Sequence, residues 1–165
     1  MNKQRGFTLI EMLIVLSIIL LVAVMAAIAV NSARAKQRDA VRLSNVRQMQ
    51  SAFEDYFNER NSYPAGASLP LGDATKAACL TADGFFGNCS GTSAIMRVVP
   101  GTYARGLEGA VTCGAPAREA FCYTQTQEGQ GYVIEFELEN ALPQIDLIEG
   151  ANCAWQDGMK GGRCL

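Results

Sequence analysis

The sequence predicts an α+β fold in which one long N-terminal helix packs on a small antiparallel β-sheet. No glycine or proline occurs between Gly6 and Tyr63, and these two residue types are the strongest helix breakers. Two later segments alternate apolar and polar residues around a glycine-containing turn, which is typical of a β-hairpin. All six cysteines lie beyond residue 78, so we expect disulfides to stabilise the C-terminal region.

The first half of the predicted helix is apolar enough to cross a membrane. Residues 12–30 contain no charged side chain, and Phe7 to Val30 is 24 residues long, about 36 Å as a helix. The hydrocarbon core of a bilayer is about 30 Å thick. Glu11 is the only charged residue between Arg5 and Arg34, and a carboxylate inside a membrane segment costs about 2.5–3.5 kcal/mol. Glu11 therefore needs a partner.

The second half of the predicted helix is amphipathic. Apolar residues recur at spacings of three and four, which places them on one face that we expect to pack on the sheet: Leu43, Val46, Met49, Phe53, Tyr56 and Phe57. Asn61 followed by Pro64 predicts a helix end near Arg60. Arg34, Arg38 and Arg42 form a different stripe, which we expect to be solvated, with lipid phosphates as the alternative partner.

The C-terminal region is predicted to be rich in loops around one hairpin. Residues 64–100 have little periodicity and are predicted to form a connecting loop, with a short helix or strand at residues 94–99. Residues 120–125 and 132–138 are the predicted strands, joined by a turn at residues 128–131. Residues after Pro143 are predicted to be loop, with turns at Asp83-Gly84 and Asp157-Gly158.

The hairpin also predicts which side chains face the helix. In the second strand the apolar residues Tyr132, Ile134, Phe136 and Leu138 alternate with Val133, Glu135, Glu137 and Glu139, so the first set is expected to face the helix. The three carboxylates on the opposite side are expected to be a solvated sheet face rather than a catalytic pair, because no base, nucleophile or metal motif accompanies them.

Cysteine and histidine usage limits the chemistry. The cysteines are even in number and contain no Cys-x-x-Cys pair; of the 15 possible connectivities we favour the neighbours Cys79–Cys89, Cys113–Cys122 and Cys153–Cys164. Histidine is absent, which argues against Ser-His and Cys-His nucleophiles and His-ligated metals. We expect no catalytic residue, no cofactor and no metal site. Residues 61–165 carry eleven acidic and six basic side chains, so a nucleic-acid partner is disfavoured.

The N-terminus resembles the class III prepilin signal. Its residues are Lys3-Gln4-Arg5-Gly6-Phe7-Thr8-Leu9-Ile10-Glu11, followed by about twenty apolar residues. This signal marks type IV pilins and the pseudopilins of type II secretion. The helix end with its Tyr63-Pro64 exit is also similar to that seen in many such proteins. Thr8 and Glu11 fit, in addition, the S/T-x-x-E capping-box pattern.

The resemblance implies a processing site and an assembly site. A prepilin peptidase would cut between Gly6 and Phe7 and methylate the new N-terminus of Phe7. Glu11 would pair with the Phe7 ammonium of a neighbouring subunit in a homopolymer, a pilus or pseudopilus, built by an inner-membrane assembly platform and its ATPase. The implied divisions are a leader at 1–6, a transmembrane and filament-core helix at 7–30, an amphipathic helix at 31–62 and a globular head at 63–165.

The resemblance also implies a location. The subunit would be single-pass in the cytoplasmic membrane, with its C-terminal domain outside, and then part of an extracellular or periplasmic filament. The basic residues at both ends of the apolar segment leave orientation undecided by the positive-inside rule, whereas the cysteines place the C-terminal domain outside.

Three other functions remain open from the sequence. A pseudopilin of type II secretion is the first, although the Pro-x-Asp-Pro-Trp-Gly segment and acidic calcium loop of major pseudopilins are absent. The second is a secreted, disulfide-stapled binding domain released by cleavage after Ala29, although the apolar run exceeds a usual signal-peptide h-region. The third is a DNA-uptake receptor of the minor-pilin type, which the acidic C-terminal region disfavours.

Overall fold

The computed structural model describes residues 7–91, 93–101, 106–113 and 121–164, and it confirms the α+β prediction. One helix, α1, extends over Leu9–Arg60 and is followed by short strands. Their bounds are β1 Leu69–Pro70, β2 Cys79–Thr81, β3 Gly84–Phe86, β4 Ala94–Met96, β5 Phe121–Thr126, β6 Gly131–Leu138, β7 Gly150–Trp155 and β8 Gly158–Gly161.

The chain divides into two compact units, Met1–Gln37 and Arg38–Leu165, called below the N-terminal unit and the C-terminal unit. The boundary falls within α1. In the N-terminal unit the apolar side chains of α1 are exposed, whereas in the C-terminal unit one face of the same helix is buried. Each unit therefore places its part of α1 in a different environment.

The larger sheet of the C-terminal unit is antiparallel, with strand order β1-β5-β6-β7-β8. The predicted hairpin is confirmed as β5 and β6, with Tyr123 opposite Ile134; residue 120 lies outside the described residues. The prediction of a loop-rich tail is wrong, because β7 and β8 form a second hairpin with Trp155 opposite Gly158. The predicted turn at Asp157-Gly158 joins these two strands.

A smaller antiparallel sheet occupies the segment predicted to be a loop. Its order is β3-β2-β4, with Leu80 opposite Phe85 on one side and Met96 on the other. The loop prediction for residues 64–100 is therefore wrong over β2 and β3, whereas the short helix or strand predicted at residues 94–99 is present as strand β4. Strands of three residues are too short to produce a readable alternation, and for β2 and β3 the sequence indicated only the turn at Asp83-Gly84.

The apolar face of α1 packs against the larger sheet as predicted. Val46, Met49 and Phe53 are fully buried, and Leu43 and Phe57 pack at the margin of the same core. The Phe53 ring meets Tyr123 and Tyr132 edge-on, with centroids 5.0 and 5.2 Å apart. Such aromatic pairs contribute about 0.5–1.5 kcal/mol beyond area burial.

The helix end meets the tip of the first hairpin. Asn61 adopts a left-handed conformation with φ 54°, and its N–H donates to Phe57 O at 2.7 Å, which closes the last turn as predicted. Tyr63 N–H then donates to Gly129 O at 2.8 Å. Gly129 has φ 94°, and a Cβ there would lie 3.1 Å from Ser62 Cβ, so glycine fits both the turn and the close approach.

Three disulfides stabilise the C-terminal unit. They join Cys79–Cys89, Cys113–Cys122 and Cys153–Cys164, which is the predicted pairing of sequence neighbours. Each closes a loop of about ten residues, for which loop-closure entropy gives roughly 2–3 kcal/mol of stability. Cys153 lies in β7 and Cys122 in β5, so two of the disulfides tie loops to the larger sheet.

Candidate assembly and processing site

The first turn of α1 contains the capping box that the sequence predicted. Thr8 donates to Glu11 Oε2 from its backbone N–H at 2.9 Å and from its hydroxyl at 2.8 Å. Glu11 N–H donates in return to Thr8 Oγ1 at 3.3 Å. The carboxylate thus satisfies the Thr8 N–H and the Thr8 hydroxyl oxygen satisfies the Glu11 N–H, two groups that have no partner within the helix. Its second oxygen, Oε1, accepts no hydrogen bond from another described residue.

The helix beyond Glu11 is exposed although it is apolar. It is long and apolar enough to cross a membrane, and none of its most apolar window is buried in the protein. Leu20, Met25 and Ile28 are each about two-thirds exposed. A contiguous apolar surface of this size requires lipid or another protein surface to cover it.

The predicted processing residues, Gly6 and Phe7, precede the start of α1 in the sequence. Gly6 lies outside the described residues. Phe7 precedes α1 and its side chain is 80% exposed, so it is accessible to another molecule. Phe7 lies four residues before Glu11, which corresponds to about 6 Å along a helix axis.

A second set of charged side chains, which no local sequence pattern indicated, lies in the C-terminal unit. Glu139, just after β6, accepts from Arg38 Nε at 2.7 Å and Nη2 at 2.6 Å. It also accepts from Arg42 Nη1 at 2.7 Å, and Arg42 pairs with Asp39 at 2.8 Å. We call Arg38, Asp39, Arg42 and Glu139 the ion cluster.

Asp39 holds the chain after β6 against α1. Its carboxylate accepts from Glu139 N–H and Asn140 N–H, each at 2.9 Å, and from the Asn140 side-chain amide at 2.8 Å. Asp39 is only 2% exposed and Arg42 only 5%. The hydrogen bonds from Arg38 lower the pKa of Glu139, with a further contribution from Arg42. The cluster therefore keeps Glu139 ionised, and every charge in it has a partner.

Glu137 has a different set of partners. Its carboxylate accepts backbone N–H groups from Glu108, Gly109 and Ala110, at 2.5, 3.1 and 2.8 Å. Successive backbone N–H groups form an anion-binding concavity, so the buried side chain binds the loop at residues 108–110 to β6. Glu135, on the same side of β6, is partly buried, and desolvation raises its pKa.

The prediction of a solvated carboxylate face is therefore wrong for Glu137 and Glu139. The arginine stripe was also misjudged, because Arg38 and Arg42 bind Glu139 while Arg34 remains exposed. The partners are about 100 residues apart in sequence. Periodicity assigned the correct side of β6, but it could not show that other chain segments cover that side.

The described residues contain no group of three His, Cys, Asp or Glu side chains arranged to hold a metal. A cleft of about 380 Å³ is lined by Gly106, Glu108, Glu137, Leu138, Glu139, Glu149 and Gly150. Glu137 and Glu139 are already bound to backbone N–H groups and to arginines. The arrangement is that of a structural junction.

Comparison with known proteins bears on the N-terminal segment. Residues 1–27 match the family model described as the prokaryotic N-terminal methylation motif, which is the class III prepilin signal of type IV pilins and pseudopilins. No curated protein and no solved structure matches the chain.

Proposed function

We propose that this chain, which carries the class III prepilin signal, is a structural subunit of a type IV pilus-like filament and not an enzyme. The observation that supports this most is the pairing of that signal with an exposed apolar helix. The signal indicates a pilin-type or pseudopilin-type precursor. A helix whose whole surface is apolar suits lipid before assembly and the helices of other copies after assembly.

Processing is proposed at the junction of Gly6 and Phe7. A prepilin peptidase would cleave this bond and methylate the Phe7 amine. Phe7 has an exposed side chain and precedes the start of α1 at Leu9, so a protease can reach this residue without unwinding the helix. Gly6 suits the cut because a side chain there would crowd the scissile bond.

Assembly is proposed to use Glu11 of one subunit and the Phe7 ammonium of the next. The capping box uses Glu11 Oε2 only, so Oε1 can accept from the partner ammonium while the box stays intact. Two charges that are separately costly in lipid then form a pair. Loss of one member of a buried pair typically costs about 3–5 kcal/mol.

The partners of this function are copies of the chain, the peptidase, and an inner-membrane assembly platform with its ATPase. The C-terminal unit is proposed to lie outside the cytoplasm, because its three disulfides are typical of oxidising compartments. The product is then an extracellular pilus. A periplasmic pseudopilus of type II secretion is the alternative.

Intact mass and the location of the polymer test this proposal. We expect the mature chain to begin at methylated Phe7 and to be recovered in filaments sheared from cells. Gly6→Leu should accumulate the uncut precursor in the membrane. A mature chain beginning at Val30, with no filaments, would show a secreted domain. Methylated Phe7 with polymer only in the periplasm would show the pseudopilus.

A further inference from the structure

The outer face of α1 in the C-terminal unit is not covered by the other described residues. We define this face by the exposed residues between positions 40 and 59: Ala40, Val41, Ser44, Arg47, Gln48, Ser51, Asp55, Asn58 and Glu59. At about 100° per residue, they span an arc of roughly 120° around the helix axis. This arc lies opposite the face that packs on the sheet.

Most other charged side chains of this stretch already have partners. Arg38, Asp39 and Arg42 belong to the ion cluster, Glu54 accepts from the Tyr63 hydroxyl at 2.8 Å, and Arg60 pairs with Asp83 at 3.1 Å. By contrast, Arg47, Asp55 and Glu59 form no ion pair with another described residue. These three side chains are available to another molecule.

The three free charges are separated by sign on the outer face. Arg47 lies at one flank of this face. Asp55 and Glu59 lie toward the other flank, rotated from Arg47 by about 80° and 120° around the helix axis. The acidic residues are also about 12 and 18 Å farther along the helix. Between the two flanks are small side chains, Ala40, Ser44 and Ser51, which allow a second helix to approach closely.

We infer that the outer face binds a second copy of this chain, with Arg47 of one copy against Asp55 and Glu59 of the other. This inference rests on the proposed function, because copies anchored in one membrane must be parallel. Parallel copies in register would place like charges side by side. An axial shift of about 12–18 Å instead places Arg47 level with the acids.

Such a contact does not close on itself. It joins one flank of the outer face to the opposite flank of the next copy, so it is heterologous, and the axial shift prevents ring closure. After one contact, the copy that contributed Arg47 still has its acidic flank unused, and the copy that contributed Asp55 and Glu59 still has its basic flank unused. Repetition therefore yields an open helical polymer.

Charge reversal in the full-length chain tests this interface. We expect Arg47→Glu to reduce the yield of sheared filaments tenfold or more, because like charges would meet across the contact. Lys160→Glu, on the exposed surface of β8, makes the same change in net charge and should leave the yield unchanged. Combining Arg47→Glu with Asp55→Arg and Glu59→Arg should restore assembly to within about threefold of wild type. Equal yields from the Arg47→Glu and Lys160→Glu variants would overturn the inference.

Cross-linking gives a second measurement that does not depend on losing assembly. Arg47→Lys keeps the charge and supplies an amine, which a zero-length carbodiimide couples only to a carboxylate in contact. Filaments of this variant should give a cross-linked peptide joining position 47 to Asp55 or Glu59 of another copy. Filaments without that peptide contradict the interface alone, whereas a wild-type chain that forms no filaments contradicts the proposed function.

Discussion

The charged side chains in the two halves of α1 differ in how far away in sequence their partners lie. In the N-terminal unit a single carboxylate, Glu11, is bound by Thr8 only three residues away. In the C-terminal unit, Asp39 and Arg42 are bound through Glu139 and Asn140, about 100 residues away. The carboxylate of the first half is hydrogen-bonded within its own turn, and the apolar surface around it stays exposed. The charged groups of the second half are hydrogen-bonded by distant residues that also cover that part of the helix.

This difference predicts that some residues affect only assembly and others affect folding first. Because Glu11 is bound within its own helical turn, the proposed assembly can use Glu11 and the apolar helix, and changes there should alter assembly while the C-terminal unit stays folded. The ion cluster is internal, so changes there should alter the stability of the C-terminal unit first. Four predictions test this separation.

Glu11→Leu should have the largest effect. We expect normal membrane insertion but a loss of filaments by about two to three orders of magnitude, because a lost buried pair costs about 3–5 kcal/mol and 1.4 kcal/mol is tenfold. Sheared filament yield and membrane-bound subunit should be measured together. Filaments at the wild-type level would remove Glu11 from the assembly mechanism.

Asp39→Leu should have the largest effect on folding. It leaves the backbone N–H groups of Glu139 and Asn140 and the Asn140 side-chain amide without their acceptor, and it removes one of the two carboxylates that Arg42 binds. The loss of one member of a buried pair costs about 3–5 kcal/mol. Unfolding of the detergent-solubilised full chain can be followed by the fluorescence of Trp155. Asp55→Asn, an exposed carboxylate on the same helix, is the matched control and should change stability by less than about 0.5 kcal/mol. Equal effects would show that the ion cluster contributes no stability.

Removing the Cys153–Cys164 disulfide with alanines should cost about 2–3 kcal/mol. The unfolding transition of the C-terminal unit should move to lower temperature, while the helicity of the apolar segment, measured by circular dichroism after the transition in detergent, should persist. If the helical signal of both halves is lost in one transition, the two units unfold together and the proposed separation is wrong.

Acidification should produce the smallest effect. The pKa of Glu139 is lowered in the folded chain, so its stabilising contribution is complete above the ordinary carboxyl pKa of about 4.3 and is lost as pH falls through the lower, folded value. Between pH 6 and pH 3, wild type should lose more stability than Glu139→Gln, by on the order of 1 kcal/mol. Parallel pH profiles for the two chains would show that Glu139 is not responsible.

Local sequence patterns predicted the parts of the fold whose interacting residues are close together in sequence. The glycine- and proline-free stretch predicted α1, the spacing of Val46, Met49 and Phe53 predicted its buried face, and Thr8 with Glu11 predicted the capping box. Each signal lies within one turn or a few turns of helix, where the interacting groups are near in sequence.

The sequence alone determined the two halves of α1, the first hairpin and the match to the prepilin signal. It only favoured the cysteine pairing of neighbours among 15 possible connectivities, and the structure contains that pairing. Only the tertiary structure decided that Glu137 is buried and Glu139 partly buried, that Arg38 and Arg42 bind Glu139, and that Arg47 forms no ion pair with another described residue. The reason is physical: periodicity reports which side of an element a residue occupies, whereas burial depends on which distant segment covers that side. The short strands β2 and β3 were not predicted, for the same reason: their pairing with each other and with β4, more than their own sequence, makes them strands.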